Sequence, residues 1–282
     1  MFKPDLLQNK IILITGGGSG LGLSMSKRFA ELGATLAICG RNSERLANGA
    51  AEIKQAGNGR EVFTFSCDVR DYQAVENMRR GIIEKVGAPH ILVNNAAGNF
   101  LAATEELSPG GFDAVVRIVL YGTFNCTQIF AKHWIANKTP GTVLNILTTY
   151  AESGSAFVVP SACAKAGVLA MTRSLAVEWG AYGIRLNAIA PGPFPTEGAW
   201  KRLFPSADFG EQYKKRIPAG RFGEHRELTN LAVFLVSDEA NYVNGECVAI
   251  DGAESVAGGQ FSQLIQFDRG KLKKMLQQMR GN

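Results

Sequence analysis

Short apolar runs alternate with longer amphipathic stretches along most of the chain. Uninterrupted apolar runs are typical of strands covered on both faces of a parallel sheet. Seven short, mostly apolar runs occur, and we predict strands at Ile11–Ile14, Ala34–Cys39, Glu61–Ser66, His90–Val93, Thr142–Leu147, Ile184–Ala190 and Glu246–Ile250. Apolar positions at helical spacing lie between them, and they predict a helix carrying Met25, Phe29 and Leu32 and further helices at Ser43–Gln55, Pro109–Asn137, Pro160–Trp179 and Glu224–Val236.

This alternation of strands and helices predicts the fold class. It indicates an α/β protein with a single-domain, Rossmann-like, doubly wound parallel sheet and helices on both faces, spanning residues 1–282. One stretch, residues 194–220, lacks regular periodicity and carries several aromatics and bases, which are Trp200, Phe204, Phe209 and Tyr213 with scattered Lys and Arg. We interpret residues 194–220 as a substrate lid.

Composition and charge exclude several classes of protein. With 46% hydrophobic and 20% charged residues the chain can bury a large core. Its five cysteines are scattered and never form a CxxC pair, which indicates buried thiols and predicts no metal site. No apolar run approaches the roughly 20 residues that span a bilayer, and the N-terminus lacks a signal core. We therefore expect a cytoplasmic protein with no membrane insertion.

The chain is basic, with a net charge of +5. No basic cluster is interleaved with the aromatics that would stack on bases, so we expect no nucleic-acid partner. The basic tail from Arg269 to Arg280 is interpreted as solvated. A polyphosphate ligand accounts for the mild positive excess equally well.

The stretch from Lys10 to Arg28, KIILITGGGSGLGLSMSKR, is the strongest motif. A buried-type strand opens into glycines and continues as an amphipathic helix. Missing side chains let the backbone approach a pyrophosphate, which binds the free N–H groups and positive dipole of the helix. The motif predicts a dinucleotide site at Gly16, Gly18, Ser19, Gly20, Leu21 and Gly22.

The residues after the second strand indicate which dinucleotide binds. An NAD site places an acid there for the ribose 2′-hydroxyl, whereas this chain has Gly40-Arg41-Asn42. Because Arg41 can meet a 2′-phosphate, the sequence favours NADP(H). Asp68, at the end of the third strand, can accept from an adenine amino group.

Taken together, TGGGSGLG, Asp68, NNAAG and Pro191-Gly192 resemble the short-chain dehydrogenase/reductase family over nearly the whole chain. The resemblance extends the cofactor contacts to Val69, Asn95, Ala96, Lys165, Pro191, Gly192, Pro193 and Phe194. The chain departs from the usual catalytic set of that family: Ser161 stands where a Tyr is common, Thr148 where a Ser is, and Val119 where an Asn is.

A Tyr is present elsewhere, at position 150. The phrases TTYAESGSAFVVPSACAKAG, NNAAGNF, IVLYGTF and PGPFPTEGAWKRL resemble the 2,4-dienoyl-CoA reductases, the mitochondrial type more than the peroxisomal. That resemblance implies hydride transfer from NADPH to the δ-carbon of a 2,4-dienoyl-CoA, giving a 3-enoyl-CoA in the β-oxidation of unsaturated fatty acids. It also implies acyl-CoA contacts at Arg70 and Arg202, and Phe100 is placed to wall the acyl group.

The chemistry of that reaction suits these residues. Hydride addition at the far end of a conjugated thioester moves charge to the thioester oxygen, which needs hydrogen-bond donors. Tyr150, at the end of strand five, and Asn99 are candidate donors, Lys165 would hold the nicotinamide ribose, and Ser161 would orient the pair or touch substrate.

Two alternatives stay open: reduction of another activated carbonyl, such as a 3-oxoacyl thioester, and a non-catalytic NADP-binding protein. The family resemblance also implies a homotetramer assembled through the two long helices.

Overall fold

The computed structural model describes residues 2–196 and 207–280, which form one parallel sheet flanked by helices. Its strands are β1 (Ile11–Thr15), β2 (Thr35–Gly40), β3 (Val62–Ser66), β4 (Ile91–Asn94), β5 (Gly141–Ile146), β6 (Ile184–Pro191) and β7 (Cys247–Ile250). They pair in the order β3-β2-β1-β4-β5-β6-β7, all parallel. The predicted doubly wound fold is confirmed. Its order reverses between β1 and β4, the place where such sheets bind ligands.

The principal helices cover both faces of the sheet. They are α1 (Gly20–Glu31), α2 (Ser43–Ala56), α3 (Tyr72–Lys85), α4 (Pro109–Val116), α5 (Gly122–Asn137), α6 (Tyr150–Ser153), α7 (Val159–Trp179), α8 (Ala207–Arg216), α9 (His225–Val236) and α10 (Arg269–Met279). Along β1, Ile12 and Ile14 pack with α1, α2 and α9, whereas Leu13 packs with α3 and α5. Because both faces are buried, β1 shows no polar alternation.

The stretch predicted as one helix over 109–137 has a change of winding in the middle. A π-type turn, Arg117–Tyr121, joins α4 to α5, and the Thr123 hydroxyl donates back to the Val119 carbonyl at 2.6 Å. By length and composition this run, Pro109–Asn137, is able to cross a membrane, but more than half of its most apolar stretch is buried inside the fold. Here α5 is a core helix.

Other element boundaries also differ from the sequence-based expectations. The pattern missed α3, whose N-terminus is capped by the Asp71 carboxylate accepting from the N–H groups of Gln73 and Ala74. Residues 207–216, predicted as irregular, form α8, and the basic tail forms α10. Tyr150 begins the short helix α6 instead of ending β5. Part of the predicted lid, including Trp200, Arg202 and Phe204, lies outside the described residues.

Candidate active site

The glycine turn after β1 packs at the limit of backbone contact. Gly16 has a φ of +67°, a left-handed conformation that favours glycine. A β-carbon on Gly22 would lie 2.4 Å from the Gly16 carbonyl oxygen, so α1 starts directly against the turn. The Ser19 side chain makes no capping bond to α1. The N-terminus of α1 therefore keeps N–H groups for an anion, which is the arrangement a pyrophosphate requires.

Thr15 joins this turn to the loop after β4, across the point where the strand order reverses. Its hydroxyl accepts from the N–H groups of Asn95 at 3.0 Å and Ala96 at 2.9 Å. Asn95 also donates from its side chain, with Nδ2 at 3.0 Å from the Thr15 carbonyl oxygen. The two loops predicted to contact the cofactor are thus held together by one threonine, whose role the sequence motif did not reveal.

Charged side chains gather at the ends of β2 and β3. Arg70 donates to both carboxylate oxygens of Asp68, with its Nη2 at 2.6 Å, and these hydrogen bonds lower the pKa of Asp68. Arg41 follows β2, is exposed, and adds a smaller electrostatic lowering of the same pKa. No acid stands in the Gly40-Arg41-Asn42 turn. The cluster therefore places an exposed cation, Arg41, directly after β2 with no acid beside it in the turn.

Three predicted catalytic side chains meet above the ends of β4 and β5. Asn99 Nδ2 donates to the Tyr150 hydroxyl at 3.2 Å, and Tyr150 Oη lies 3.1 Å from Ser161 Oγ. Asn99 Oδ1 accepts the N–H of Phe100 at 2.9 Å, which fixes the direction of the amide group. Ser161 is almost fully buried. The oxygen of Tyr150 is consequently held between two partners that set its position.

Lys165 lies one turn after Ser161 on α7, so both side chains are on the same side of that helix. It is 7% exposed, and its ammonium donates to the carbonyl of Ile146, the last residue of β5. Burial lowers the pKa of Lys165 to about 8. An ammonium group has three hydrogens, so two remain after the bond to Ile146 for a polar ligand such as a ribose.

The loop after β6 forms the remaining wall. A β-carbon on Gly192 would lie 2.6 Å from Asp251 Cβ, which brings Pro191-Gly192-Pro193 tightly against the segment after β7. Phe194 is 7% exposed, and its ring packs on Gly223. A cofactor contact at Phe194 therefore falls to its backbone. Of the other predicted contacts, Phe100 is partly exposed and Arg202 lies outside the described residues.

The structure adds two residues near the site, Tyr213 and Glu254, which no local sequence motif indicated. The Tyr213 hydroxyl of α8 donates to the Glu254 carboxylate. Burial and this carboxylate raise the pKa of Tyr213, and Tyr150 contributes electrostatically, so α8 stands close to the Tyr150 cluster. Only the aromatic content of the predicted lid pointed toward such a contact.

Comparison with known proteins agrees with this geometry. A family model described as enoyl-(acyl carrier protein) reductase matches residues 16–253. The chain belongs to the short-chain dehydrogenase/reductase family. As a member it is an oxidoreductase of a family whose solved structures include NADP-bound ones.

Several relatives of this reductase carry specific names. A Bacillus subtilis protein named probable 2,4-dienoyl-CoA reductase [(2E)-enoyl-CoA-producing] is 47% identical over 249 residues, covering 88% of this chain and 97% of the relative. A Caenorhabditis elegans protein named probable 2,4-dienoyl-CoA reductase 3 [(3E)-enoyl-CoA-producing] is 45% identical, covering 90% and 83%.

Solved structures show the same fold. A short-chain dehydrogenase from Bacillus anthracis is 44% identical with a TM-score of 0.79, covering 87% of this chain and 96% of that one. A gluconate 5-dehydrogenase from Burkholderia cenocepacia, solved with NADP and tartrate, is 34% identical with a TM-score of 0.83, covering 90% and 98%.

Proposed function

We propose that this short-chain reductase uses NADPH to reduce 2,4-dienoyl-CoA to 3-enoyl-CoA in the β-oxidation of unsaturated fatty acids. The observation that carries the proposal is the hydrogen bond from Asn99 to Tyr150, beside Ser161 at the position where simple alcohol dehydrogenases of the family carry their Tyr. The named relatives support the same substrate class.

The chemistry requires charge stabilisation at a distance from the reacting carbon. NADPH, when bound, supplies a hydride to the δ-carbon of the dienoyl thioester. Electron density then moves through the conjugated system to the thioester oxygen. A site for this step needs two donors directed at one oxygen, and it needs no strong base.

Tyr150 and Asn99 meet that requirement together. The Tyr150 hydroxyl carries one hydrogen, and the Asn99 amide has a second N–H besides the one bound to Tyr150. The bond from Phe100 N–H to Asn99 Oδ1 keeps the amide nitrogen directed to this side. The remaining hydrogens of the Lys165 ammonium hold the nicotinamide ribose.

The position of protonation decides the product. A dienolate protonated at the α-carbon becomes a 3-enoyl thioester, and one protonated at the γ-carbon becomes a 2-enoyl thioester. The relatives carry names of both kinds. We assign the 3-enoyl product, because the phrases around Tyr150 resemble the mitochondrial-type reductases.

The finer assignments belong to the same proposal. Arg41 selects NADPH over NADH through the 2′-phosphate. Arg70, Arg202 and Phe100 contact the acyl-CoA, and Arg70 does so from its ion pair with Asp68. Copies assemble as a homotetramer through the helical run 109–137 and α7, where Tyr121, Phe124 and Val177 are exposed. The enzyme acts in the cytoplasm.

The test is NADPH oxidation with 2,4-hexadienoyl-CoA, with Tyr150→Phe and Tyr182→Phe compared in parallel. Tyr182 is an exposed tyrosine away from the Tyr150 cluster, so it is the matched control. Loss of one oxyanion donor lowers kcat by about 100-fold or more. We expect that fall for Tyr150→Phe and no change for Tyr182→Phe, with the 3-enoyl isomer as product by NMR. No turnover of the dienoyl thioester by the unmodified enzyme would refute the proposal.

A further inference from the structure

The segment 269–280, which is α10 and the Arg280 that follows it, holds the whole net positive charge of the chain. It contains five cations, Arg269, Lys271, Lys273, Lys274 and Arg280, and no acid. The full sequence has 30 Lys and Arg against 25 Asp and Glu, so 25 cations and 25 acids remain outside this segment. Everything before α10 is electrically neutral overall. The helix also lies beyond residue 253, where the family match ends.

The cations of α10 flank an apolar stripe. Leu272, Met275, Leu276 and Met279 stand at spacings of three and four residues and therefore share one face. At 100° per residue, Arg269, Lys273 and Arg280 fall along one border of that face, and Lys271 falls along the other. Long cationic side chains on both borders can reach polar headgroups while the stripe between them contacts apolar material.

Much of this apolar surface has no cover within the described part of the chain. Leu272 is buried and anchors α10 to the domain, but Met279 is 75% exposed and Met275 is 36% exposed. Just before the helix, Phe261 and Phe267 are also largely exposed. Leu276 is half-buried, so the exposed part of the stripe consists of the two methionines. Several exposed apolar side chains beside cations mark an interaction site.

Charge complementarity identifies the occupant. A second copy of the chain offers no excess of negative charge to α10, because the remainder of each copy is neutral. A bilayer with anionic lipids offers both a negative surface and an apolar interior just beneath it. We propose that α10, with Phe261 and Phe267, binds the surface of anionic membranes as a peripheral helix that does not span the bilayer.

This binding has a consequence for the reaction. Long-chain acyl-CoA is amphiphilic and partitions into membranes, so adsorption through α10 would hold the reductase where such substrates collect. That consequence rests on the proposed function. The binding itself does not, and it is measured without turnover.

The experiment is co-sedimentation of the full chain with vesicles, one set of phosphatidylcholine alone and one an equal mixture with phosphatidylglycerol. The test variant is Arg269→Gln/Lys271→Gln/Lys273→Gln, which removes three of the cations that border the stripe. Its charge-matched control is Lys3→Gln/Lys54→Gln/Lys85→Gln, which removes three exposed cations far from α10 in sequence. Each cation near an anionic surface contributes about 1 kcal/mol, so we expect a roughly 100-fold lower partition coefficient for the test variant. The control should change little.

A second variant, Met275→Ser/Met279→Ser, tests the apolar contribution at two exposed positions outside the core. Binding to mixed vesicles should weaken while the positive charge stays constant. The proposal is overturned if the unmodified chain does not bind mixed vesicles, or if both charge variants lose binding equally. It is also overturned if the methionine variant lowers the molecular mass in solution, because the stripe would then be covered by a second copy. Hexadienoyl-CoA turnover without vesicles reports separately on the proposed function.

Discussion

Polar side chains lie at both ends of the parallel sheet, but their hydrogen bonds differ between the two ends. At the N-terminal end a cavity of about 520 Å³ is lined by Lys10, His90, Arg185 and Asp238 among others. At the C-terminal end the glycine turn meets the Tyr150 cluster. Cavity size alone would favour the N-terminal end as the ligand site.

Hydrogen-bond saturation separates the two ends. Lys10 is paired with Asp238 at 2.9 Å, and His90 Nδ1 accepts the Ile11 N–H at 3.0 Å. Arg185 donates to the carbonyls of Leu235, Ser237 and Val243. These groups make their hydrogen bonds within the protein, and the bonds support the fold.

At the C-terminal end of the sheet, several groups still have hydrogen-bonding positions available for a ligand. The N-terminus of α1 is not capped by Ser19, and Lys165 and Asn99 retain donor hydrogens. Thr148, two residues before Tyr150, has a buried hydroxyl with no partner within residues 2–196 and 207–280. Hydrogen-bond donors without a protein partner, near the point where the strand order reverses, are a better marker of a ligand site than a large polar cavity.

The largest predicted effect is a loss of stability caused by a substitution at the N-terminal end of the sheet. Trp134 is buried, donates from Nε1 to the Pro89 carbonyl at 2.7 Å, and covers Gly141 at the start of β5. Trp134→Ala should lower the free energy of unfolding by about 4 kcal/mol, since a cavity replaces a large aromatic ring. Urea unfolding measures the loss. Turnover per folded molecule should be unchanged.

The matched comparison for Trp134→Ala is Phe100→Ala at the other end. Phe100 is 37% exposed, so its removal should cost less than about 1 kcal/mol of stability while impairing dienoyl-CoA turnover. If Trp134→Ala abolished turnover in the folded fraction, or Phe100→Ala destabilised the fold as strongly, the division between the two ends would be wrong.

The next effect concerns Lys165, where function opposes stability. Its pKa is lowered to about 8 by burial, so the folded protein bears the cost of a buried cation below that pH. Between pH 8 and the ordinary lysine pKa, the folded form has released its proton while the unfolded lysine is still charged. The free energy of unfolding therefore rises with pH over this interval. Below pH 8, Lys165→Met should therefore raise the free energy of unfolding by about 2 kcal/mol, after subtracting the lost bond to Ile146.

Denaturant unfolding on both sides of pH 8 measures the Lys165→Met effect. The gain should shrink as the pH rises above 8, because the unmodified protein then no longer holds a charged lysine in its interior. A gain that is independent of pH would mean that packing of the methionine, and not removal of charge, causes it. Lys132→Met, at an exposed lysine of α5, is the control and should show no such trend.

The sequence revealed the strands and the glycine turn because their signals are local. Both faces of β1 are buried, so Ile12, Leu13 and Ile14 form an unbroken apolar run. In contrast, α3 has a mostly polar sequence and was missed, although its Asp71 cap is visible in retrospect. Its buried residues, Val75, Met78 and Ile82, recur at helical spacing, but the polar residues between them obscure the pattern.

The site was only partly predictable for a related reason. The meeting of Asn99 with Tyr150 follows from neighbouring parallel strands, whose carboxyl ends lie at one edge. The contact of Tyr213 with Glu254 joins α8 to the segment after β7, and no spacing rule relates the two. The Asp68–Arg70 pair lies within three residues, but the sequence did not show that the two side chains turn toward each other.

The smallest predicted effect concerns the choice between NADPH and NADH at the C-terminal end of the sheet. Arg41 is exposed after β2, and in the described ranges its guanidinium makes no ion pair, which leaves it available to a 2′-phosphate. Arg41→Ser should lower kcat/KM for NADPH about 10-fold, the loss of one charge-assisted contact, and leave NADH unchanged. Steady-state kinetics with both cofactors measures it, and Arg80→Ser, at an exposed arginine of α3, is the control. An equal fall with both cofactors would show that Arg41 supports the turn itself, and a fall with neither would leave Arg41 outside the cofactor site.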